Sequence, residues 1–399
     1  MAGDQNPRRR ASFWFLALLL VVVLFAATAP SPLYGVYQDM WHFSALTLTA
    51  VYGSYAFGGV AALLVAGRLS DYLGRRLILA AALILIVASM LIFVVATDVT
   101  ALFAGRVLAG VGTGIASGVT SAWVIDLQPA QNPRLGSLVN GVAPLLGLGL
   151  GGFISGVLVQ YGPDRLHLVF WLLAGIYGLA SAAILSVPDL VERRPGWVSS
   201  LRPSIGIPAP AHGLFIASAP ALVGMWALAG LYFSLGPSLV IAILGTESRL
   251  AGGFVILALA GSAAFSSFAV RNVDPRLVLT RGCVVLIAGV AISLVGVWLS
   301  SLAWLYGGTI VAGTGLGPAF SAFVRIVTPL APVERRAALL GAIYVTTYLS
   351  FSVPAIVGGA AVTLYGLRGT TLAYGLAVIV LAAATTLAVS RRLGPQMAA

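Results

Sequence analysis

The chain has 399 residues, of which 60% are hydrophobic and only 8% are charged, and its mean hydropathy is +1.03. These values exclude a water-soluble protein and indicate one that crosses a membrane many times. The formal charge of +11 does not indicate a nucleic-acid partner, because the basic residues are spread between apolar runs and form no single patch. We therefore expect the lipid bilayer as its surroundings and no nucleic acid as a partner.

Residues that bind metals or form disulfides are few. Cys283 is the one cysteine and lies in an apolar run, so it cannot form a disulfide within the chain. His42, His167 and His212 are scattered near the ends of apolar runs, without the spacing of a metal site. The sequence also contains no phosphate-binding loop of the form G-x-x-x-x-G-K-S/T. It therefore predicts no metal, no cofactor and no direct use of ATP.

Apolar runs of about 20 residues recur along the whole chain, which is the length that a hydrocarbon core of about 30 Å requires. The first run follows a basic segment and resembles a secretory signal, but it is too long and further runs follow it. We expect an all-α membrane protein with twelve transmembrane helices. Their expected ranges are 12–30, 46–66, 77–97, 101–124, 135–159, 167–187, 213–239, 251–270, 277–299, 302–324, 337–361 and 370–390.

The arginines predict the orientation of these helices. Only Arg165, Arg249 and Arg368 fall in loops on the side opposite the termini, and Arg106 lies within a span. The other eighteen flank the spans on the side of the two termini. Because cytoplasmic loops carry the excess of basic residues, we expect both termini in the cytoplasm and the protein in the plasma membrane.

The composition changes between the sixth and seventh predicted helices. Residues 188–212 are rich in proline, arginine and serine, which is typical of a linker. We expect an N-terminal six-helix bundle over 1–187, a cytoplasmic linker over 188–212 and a C-terminal six-helix bundle over 213–399.

The two halves also repeat at an offset of 203 residues. Residues 102–114 align with 305–317, so that four glycines match four glycines, and Asp71 aligns with Asp274. One offset that holds in two separate regions predicts two pseudo-symmetric bundles from a duplicated unit.

The loop between the second and third predicted helices reads G-R-L-S-D-Y-L-G-R-R. Gly67 and Gly74 let two helix ends approach, and Asp71 suits the positive end of the next helix dipole. The pattern G-x-x-x-D-x-x-G-R-R resembles the loop between helices 2 and 3 of the major facilitator superfamily, whose members are membrane transporters. The resemblance implies a conformational switch, completed by Arg75 and Arg76.

Asp126, an acid at the inner end of the fourth predicted helix, is a further predicted residue of the conformational switch. In the family that the loop resembles, such an acid joins the aspartate and arginine of the loop in a charge cluster. Asp126 is therefore the expected partner of Arg75, and the alternative is a solvated carboxylate at a helix end. The corresponding second loop, residues 271–276, keeps its acid but has no glycine, so only the first copy is expected to act as a switch.

Arg106 is a charge inside the fourth predicted helix, where it is costly unless it faces water or a partner. The pattern Leu102-x-x-x-Arg106-x-x-x-Gly110-x-Gly112 resembles the helix 4 motif of the same superfamily. That resemblance implies an arginine that faces the central cavity and handles protons or substrate, with Thr113 on the same face. The alternative is a side chain that extends to the outer interface.

The fifth predicted helix is rich in glycine. This composition permits close contact with a neighbouring helix, and we expect packing roles for Gly110 and Gly112 of helix 4 as well. The run also resembles the glycine-rich motif of drug-proton antiporters, although Leu148 replaces its proline and Ala143 its first glycine. The packing residues expected in helix 5 are Gly147, Gly151 and Gly152.

Further candidates for a substrate or proton pathway are polar or aromatic residues within spans, although each alone is also explained by packing. Tyr344 and Tyr348 lie one turn apart and share a helix face. Every acid lies in a loop or at the end of a span, which leaves proton coupling open, and Asp39 is the acid best placed to reach an outward-facing cavity. The other candidates are Tyr55, Asn140, Trp226 and Tyr232.

Together these features predict a monomeric secondary transporter of small organic molecules that works by alternating access. The leading expectation is efflux coupled to protons, and the alternative is uptake or facilitated diffusion of a metabolite. An integral membrane enzyme or a receptor-like protein is the other class, but no catalytic constellation supports an enzyme.

Overall fold

The structure is a computed structural model that describes residues 7–66, 69–189, 191, 195–200, 205–245 and 248–397. Gly67, one of the predicted switch residues, lies outside the described residues, and so do parts of the predicted linker. Within the described ranges the chain is helical and contains no β-strand, so the predicted all-α fold is confirmed.

The helices follow one another with short connections. In chain order they are α1 Pro7–Thr28, α2 Tyr34–Trp41, α3 Ala45–Ala66, α4 Ser70–Leu73, α5 Arg75–Val94, α6 Val99–Leu127, α7 Leu135–Tyr161, α8 Leu168–Ala183, α9 Trp197–Ser200, α10 Ala209–Ser234, α11 Gly236–Leu244, α12 Arg249–Ala269, α13 Pro275–Trp298, α14 Leu302–Val327 and α15 Arg336–Met397.

The last helix contains two spans. Its apolar part, Arg336–Val389, has 54 residues, which at about 1.5 Å per residue is far longer than a bilayer. Gly366 interrupts it with a left-handed φ of 71°. A Cβ atom on Gly358 would lie 3.4 Å from the ring of Tyr374, sixteen residues later, so the chain folds back at Gly366. Eleven described helices are long and apolar enough to cross a membrane, and this one crosses twice, which gives the twelve spans predicted.

The first and seventh spans are each broken at the same relative place. A short 3₁₀ turn separates α1 from α2, and Leu235 separates α10 from α11. Both spans therefore extend beyond the predicted ends, to Trp41 and Leu244. Prolines explain the breaks, because Pro32 and Pro237 lack the N–H that a continuous helix needs and are tolerated only near a helix start.

The internal repeat holds in the backbone. The residues that end α2 and α11, His42 and Gly245, both have left-handed φ values, of 51° and 64°, and are 203 positions apart. The extended residues that precede α6 and α14, Asp98 and Ser301, are separated by the same number of positions. These positions lie outside the aligned segments from which the offset was inferred, and they support the duplication independently.

Glycines set the packing within the first half. A Cβ atom on Gly112 would lie 2.7 Å from Ile86 of α5, and one on Gly110 would overlap the carbonyl of Tyr55 in α3. Likewise, Gly147 and Gly151 lie against the backbone of α1. The absence of a side chain at these positions lets α6 and α7 approach their neighbours closely.

We name the two sides of the molecule by the chain ends. The terminal face is the side on which α1 begins and α15 ends, and the far face is the opposite side. The halves meet through two helix pairs, α7 with α12 and α3 with α15. The predicted domain limits at 187 and 213 stay a prediction, and the linker between them includes α9.

Candidate functional site

The guanidinium of Arg106 lies in the interior of the first bundle. The residue is 0% exposed, and its two terminal nitrogens donate hydrogen bonds to the carbonyl oxygens of Ala27, at 2.8 Å, and Tyr52, at 3.2 Å. Ala27 is in the last turn of α1, where carbonyl groups lack helical partners. The break in the first span thus supplies an acceptor, and the side chain does not extend to the far interface.

Two aromatic rings enclose the same group. The guanidinium carbon lies 4.7 Å from the ring centre of Tyr52 and 4.6 Å from that of Tyr55, both in α3. Among the described residues no carboxylate pairs with Arg106, so carbonyl dipoles and ring faces offset its charge. Its counterpart in the second half, Thr309, is also fully buried, but it is neutral and its hydroxyl donates to the carbonyl of Leu305 in its own helix. The cation is therefore specific to the first half.

Hydroxyl groups lead from this cation toward the terminal face. The hydroxyl of Thr113 is hydrogen-bonded to that of Tyr55 at 2.7 Å. From the other half, the ring of Tyr348 lies against α3, 3.0 Å from where a Cβ atom of Gly59 would be. Tyr344, one turn nearer the terminal face, is 45% exposed, whereas Tyr55 is 4% exposed. The structure thus brings Arg106 and four of the predicted pathway residues into one row.

Trp226 belongs to a second group, in the other bundle. Its ring makes edge contacts with Phe320, at 5.2 Å between centroids, and with Phe351, at 6.5 Å. Phe351 also lies 5.4 Å from Tyr52, whose ring covers Arg106. Aromatic contacts therefore connect the two groups across the boundary between the halves.

Two other predicted pathway residues lie within single halves. Asn140 donates to the carbonyl of Ser121 at 2.9 Å, which links α7 to α6. The hydroxyl of Tyr232 is hydrogen-bonded to that of Ser293, which links α10 to α13. The structure does not connect either residue to the row that begins at Arg106.

Asp39 lies on the far face, where it forms an ion pair between the halves. Its carboxylate accepts from the guanidinium of Arg249 at 3.4 Å. The backbone N–H of Arg249 donates to Gln160 at the end of α7. Gly35 leaves room for the guanidinium of Arg249, because a Cβ atom at position 35 would lie 2.5 Å from Arg249 Nη1. A pocket of about 620 Å³ surrounds this pair.

The predicted switch residues form a cluster on the terminal face. Arg75 donates to Asp126 at 2.7 Å and lies 3.7 Å from Asp71. The main-chain carbonyl of Asp126 also accepts from Arg9 at 2.9 Å, so α6 is tied to both α5 and α1. Arg76 donates to the carbonyl of Val187 at 2.7 Å, which ties the start of α5 to the end of the sixth span.

One detail of this loop differs from the expectation. Asp71 was expected at the start of the third transmembrane helix, but it lies in the four-residue helix α4. Gly74, with a φ of 91°, separates α4 from α5. The carboxylate therefore acts on Arg75 directly and does not cap the transmembrane helix.

Some of the residues that build these contacts carry little signal in the sequence. Tyr52 and Phe351 could not be assigned a role from it, because an aromatic residue in an apolar run carries no signal of its direction. Arg249 is one of the three arginines on the far side. Its position just after a turn on the arginine-poor face was the one signal available.

Comparison with known proteins assigns the family. A sequence model described as Major Facilitator Superfamily matches residues 16–355. The chain is 29% identical over 170 residues to the arabinose-proton symporter of Bacillus subtilis, a segment that covers 41% of this chain and 36% of that protein. It is 35% identical over 127 residues to the triacylglyceride transporter of Mycobacteroides abscessus, which covers 31% of this chain and 24% of that protein. The chain thus spans less than half the length of these curated relatives.

The fold agrees with this assignment. A solved bacterial homologue of the human lysosomal transporter Spinster, in an inward-facing and unoccupied conformation, superposes with a TM-score of 0.75 over 96% of this chain and 98% of that chain, at 13% identity. That identity supports the fold alone, whereas the family match covers most of the sequence. This chain belongs to the Major Facilitator Superfamily.

Proposed function

We propose that this protein is a transporter and that it exports small organic molecules across the plasma membrane by alternating access, in exchange for protons, with the terminal face in the cytoplasm. The observation that carries the proposal is one-sided closure. The two halves pack tightly near the far face and are open near the terminal face, as expected of a carrier that exposes its site to one side at a time.

One face of helix α7 is closely packed toward the far face of the molecule and open toward the terminal face. A Cβ atom on Gly152 would lie 2.6 Å from Ile256 of α12, whereas one on Gly141 would meet nothing within 4 Å. Eleven residues separate these glycines, which places them on the same side of the helix and about 16 Å apart. The gap between the bundles therefore widens toward the terminal face.

The second pair of helices, α3 and α15, is also closely packed toward the far face. A Cβ atom on Gly359 of α15 would lie 2.8 Å from the carbonyl of Ala45, and one on Gly53 would lie 2.9 Å from Ile356. Nearer the terminal face, Tyr344 is 45% exposed. The ion pair between Asp39 and Arg249 lies over this closed side.

The arginine distribution supports a cytoplasmic terminal face, and hence a state that opens to the cytoplasm. Export would begin from this state. The glycine-rich α7 resembles the motif of drug-proton antiporters, apart from Leu148 and Ala143, and the superfamily's helix 4 motif around Arg106 is associated with proton or substrate handling; both support exchange with protons. Since every acid lies outside the spans or at their ends, the row from Arg106 to Tyr344 is the proposed pathway, and the protein acts as a monomer in the bilayer.

Uptake is the second candidate. It is favoured by the relative named an arabinose-proton symporter, which carries its solute and protons together. The two directions differ in how an imposed proton gradient acts on the solute.

Reconstituted vesicles of known protein orientation test the proposal. For export by exchange, a pH gradient that is acidic on the far-face side should drive solute toward that side. The same gradient would drive solute the other way in symport. Flux that is indifferent to the gradient would leave facilitated diffusion and overturn proton coupling. An excess of dimer in light-scattering measurements of the purified protein would contradict the monomer.

A further inference from the structure

The pocket on the far face lies beside the ion pair of Asp39 with Arg249. Its volume of about 620 Å³ is within the range of sites that bind small molecules. Three parts of the first half line it, namely α2, the end of α7 and the loop that follows α7 over residues 163–166. Arg249, at the start of α12, lines it from the second half. A molecule in this pocket would therefore contact both halves.

Charges of both signs line the pocket. The carboxylates belong to Asp39 and Asp164, whose side chains are 68% and 49% exposed, and the guanidiniums belong to Arg165 and Arg249. Arg165 is exposed and forms no ion pair within the described residues, so its charge is available to a ligand. A ligand with a single charge would be repelled by two of these four groups. A zwitterion can place each of its charges near opposite ones.

Other contacts hold three of the four charged groups in position. Asp164 accepts hydrogen bonds from the backbone N–H groups of Leu166 and His167, each at 3.2 Å, and its carboxylate lies 3.0 Å from Nδ1 of His167. The side chain of Arg249 is only 11% exposed and pairs with Asp39. The charges are thus arranged before a ligand arrives, which reduces the cost of binding.

The internal repeat indicates that the fold does not require charges at this place. At the offset of 203 residues, Asp39 corresponds to Ala242 and Arg249 corresponds to Leu46. The counterpart of the ion pair is therefore two apolar residues, although the backbone at the ends of α2 and α11 is the same. A ligand that recognises charge explains this difference between the halves.

We propose that the far-face pocket binds a small zwitterion with an apolar body, separately from the transported solute, and that the bound molecule favours the state in which the far side is closed. Its ammonium group lies near the two carboxylates and its carboxylate near the two guanidiniums. Val36 and Met40 of α2, with Val159 and Leu166, contact the apolar body. Because the ligand contacts both halves, it binds best when they are together, and this second part rests on the proposed alternating access.

Calorimetric titration of the purified full chain tests the pocket. The probes are leucyl-leucine, which is a zwitterion, its N-acetyl derivative, which keeps only the carboxylate, and its amide, which keeps only the ammonium group. Arg165→Gln removes the guanidinium that has no ion pair and leaves the pair of Asp39 with Arg249 in place. Arg134→Gln is the matched control, because Arg134 is also exposed but lies at the opposite end of α7, on the terminal face.

We expect one leucyl-leucine to bind per chain, and either blocked derivative to bind at least tenfold more weakly, since each lacks a charge-assisted contact. Arg165→Gln should weaken binding of leucyl-leucine about tenfold, and Arg134→Gln should not change it. Spin labels at the exposed positions 95 and 365, in a Cys283→Ala background, report far-side closure. Saturating leucyl-leucine should shift their distance toward that of the closed state.

Three results would overturn the pocket: no binding of leucyl-leucine, equal affinity for a blocked derivative, or equal effects of the two arginine variants. Binding that leaves the label distances unchanged would overturn the link to far-side closure and retain the pocket. Labels that report exchange between states without any binding of leucyl-leucine would reject the pocket and retain the proposed transport cycle.

Discussion

Arg249 and Asp39, 210 residues apart in the chain, form an ion pair at 3.4 Å that joins the two halves at the far face. The side chain of Arg249 is 11% exposed, whereas that of Asp39 is 68% exposed, so water screens the pair from one side. Such a pair contributes modestly to stability. Because the two residues belong to different halves, in the proposed transport cycle the pair favours the state in which the far side is closed.

Asp39→Asn should therefore raise the ratio of far-open to far-closed molecules about two- to fivefold, the range of a partly exposed ion pair. Spin labels at positions 161 and 365, in a Cys283→Ala background, would report the populations as a distance distribution. Asp98→Asn is the matched control, since it removes a far-face charge and retains a residue that caps α6. An equal shift in both variants would show that net charge, not the pair, is responsible.

Gly253 of α12 is expected to be essential for far-side closure. A Cβ atom there would lie 2.5 Å from the carbonyl of Gly152 and 3.2 Å from the Cα of Phe153, and backbone atoms cannot move aside cheaply. Gly253→Leu should shift the same label pair almost completely to the long distance. Gly175→Leu should have no effect, because nothing lies within 4 Å of that position. A normal closed population in Gly253→Leu would contradict the packing described.

Arg106→Ala should abolish transport and also lower the free energy of unfolding, by about 2 kcal/mol. The substitution leaves a cavity between the rings of Tyr52 and Tyr55, and it removes the hydrogen-bond donor of two buried carbonyl groups. Flux in vesicles and thermal unfolding in detergent measure the two effects. Arg106→Lys keeps the charge but cannot donate in two directions from a planar group, so it should recover stability in part and transport little. Normal flux in Arg106→Ala would remove the residue from the pathway.

On the terminal face, Asp126 should matter more than Asp71. Arg75 donates to Asp126 at 2.7 Å, but it is 3.7 Å from Asp71, whose side chain is 56% exposed. We expect Asp126→Asn to change the rate of exchange between states several-fold and Asp71→Asn to change it less than twofold. Single-molecule distance trajectories between labels at positions 132 and 334 would measure both rates. A larger effect of Asp71→Asn would mean that its contact with Arg75 tightens in the other state.

The sequence determined the features that depend on local composition. A bilayer requires about 20 apolar residues for each span wherever they occur, so the number of spans was readable before any contact was known. The duplication was readable as well, because one offset aligns two separate regions, and the backbone at His42 and Gly245, like that at Asp98 and Ser301, keeps the same offset. Glycine positions on α6 and α7 indicated close packing, although not which neighbour each one meets.

Only the tertiary structure decided which distant residues meet. The enclosure of Arg106 by Tyr52 and Tyr55 and the pairing of Arg249 with Asp39 depend on how whole helices are placed against one another. Inside a membrane protein nearly every helix face is apolar, so hydropathy does not distinguish the face toward lipid from the face toward another helix. The direction of a side chain such as Trp226 is therefore fixed by packing, and that direction determines its chemical role.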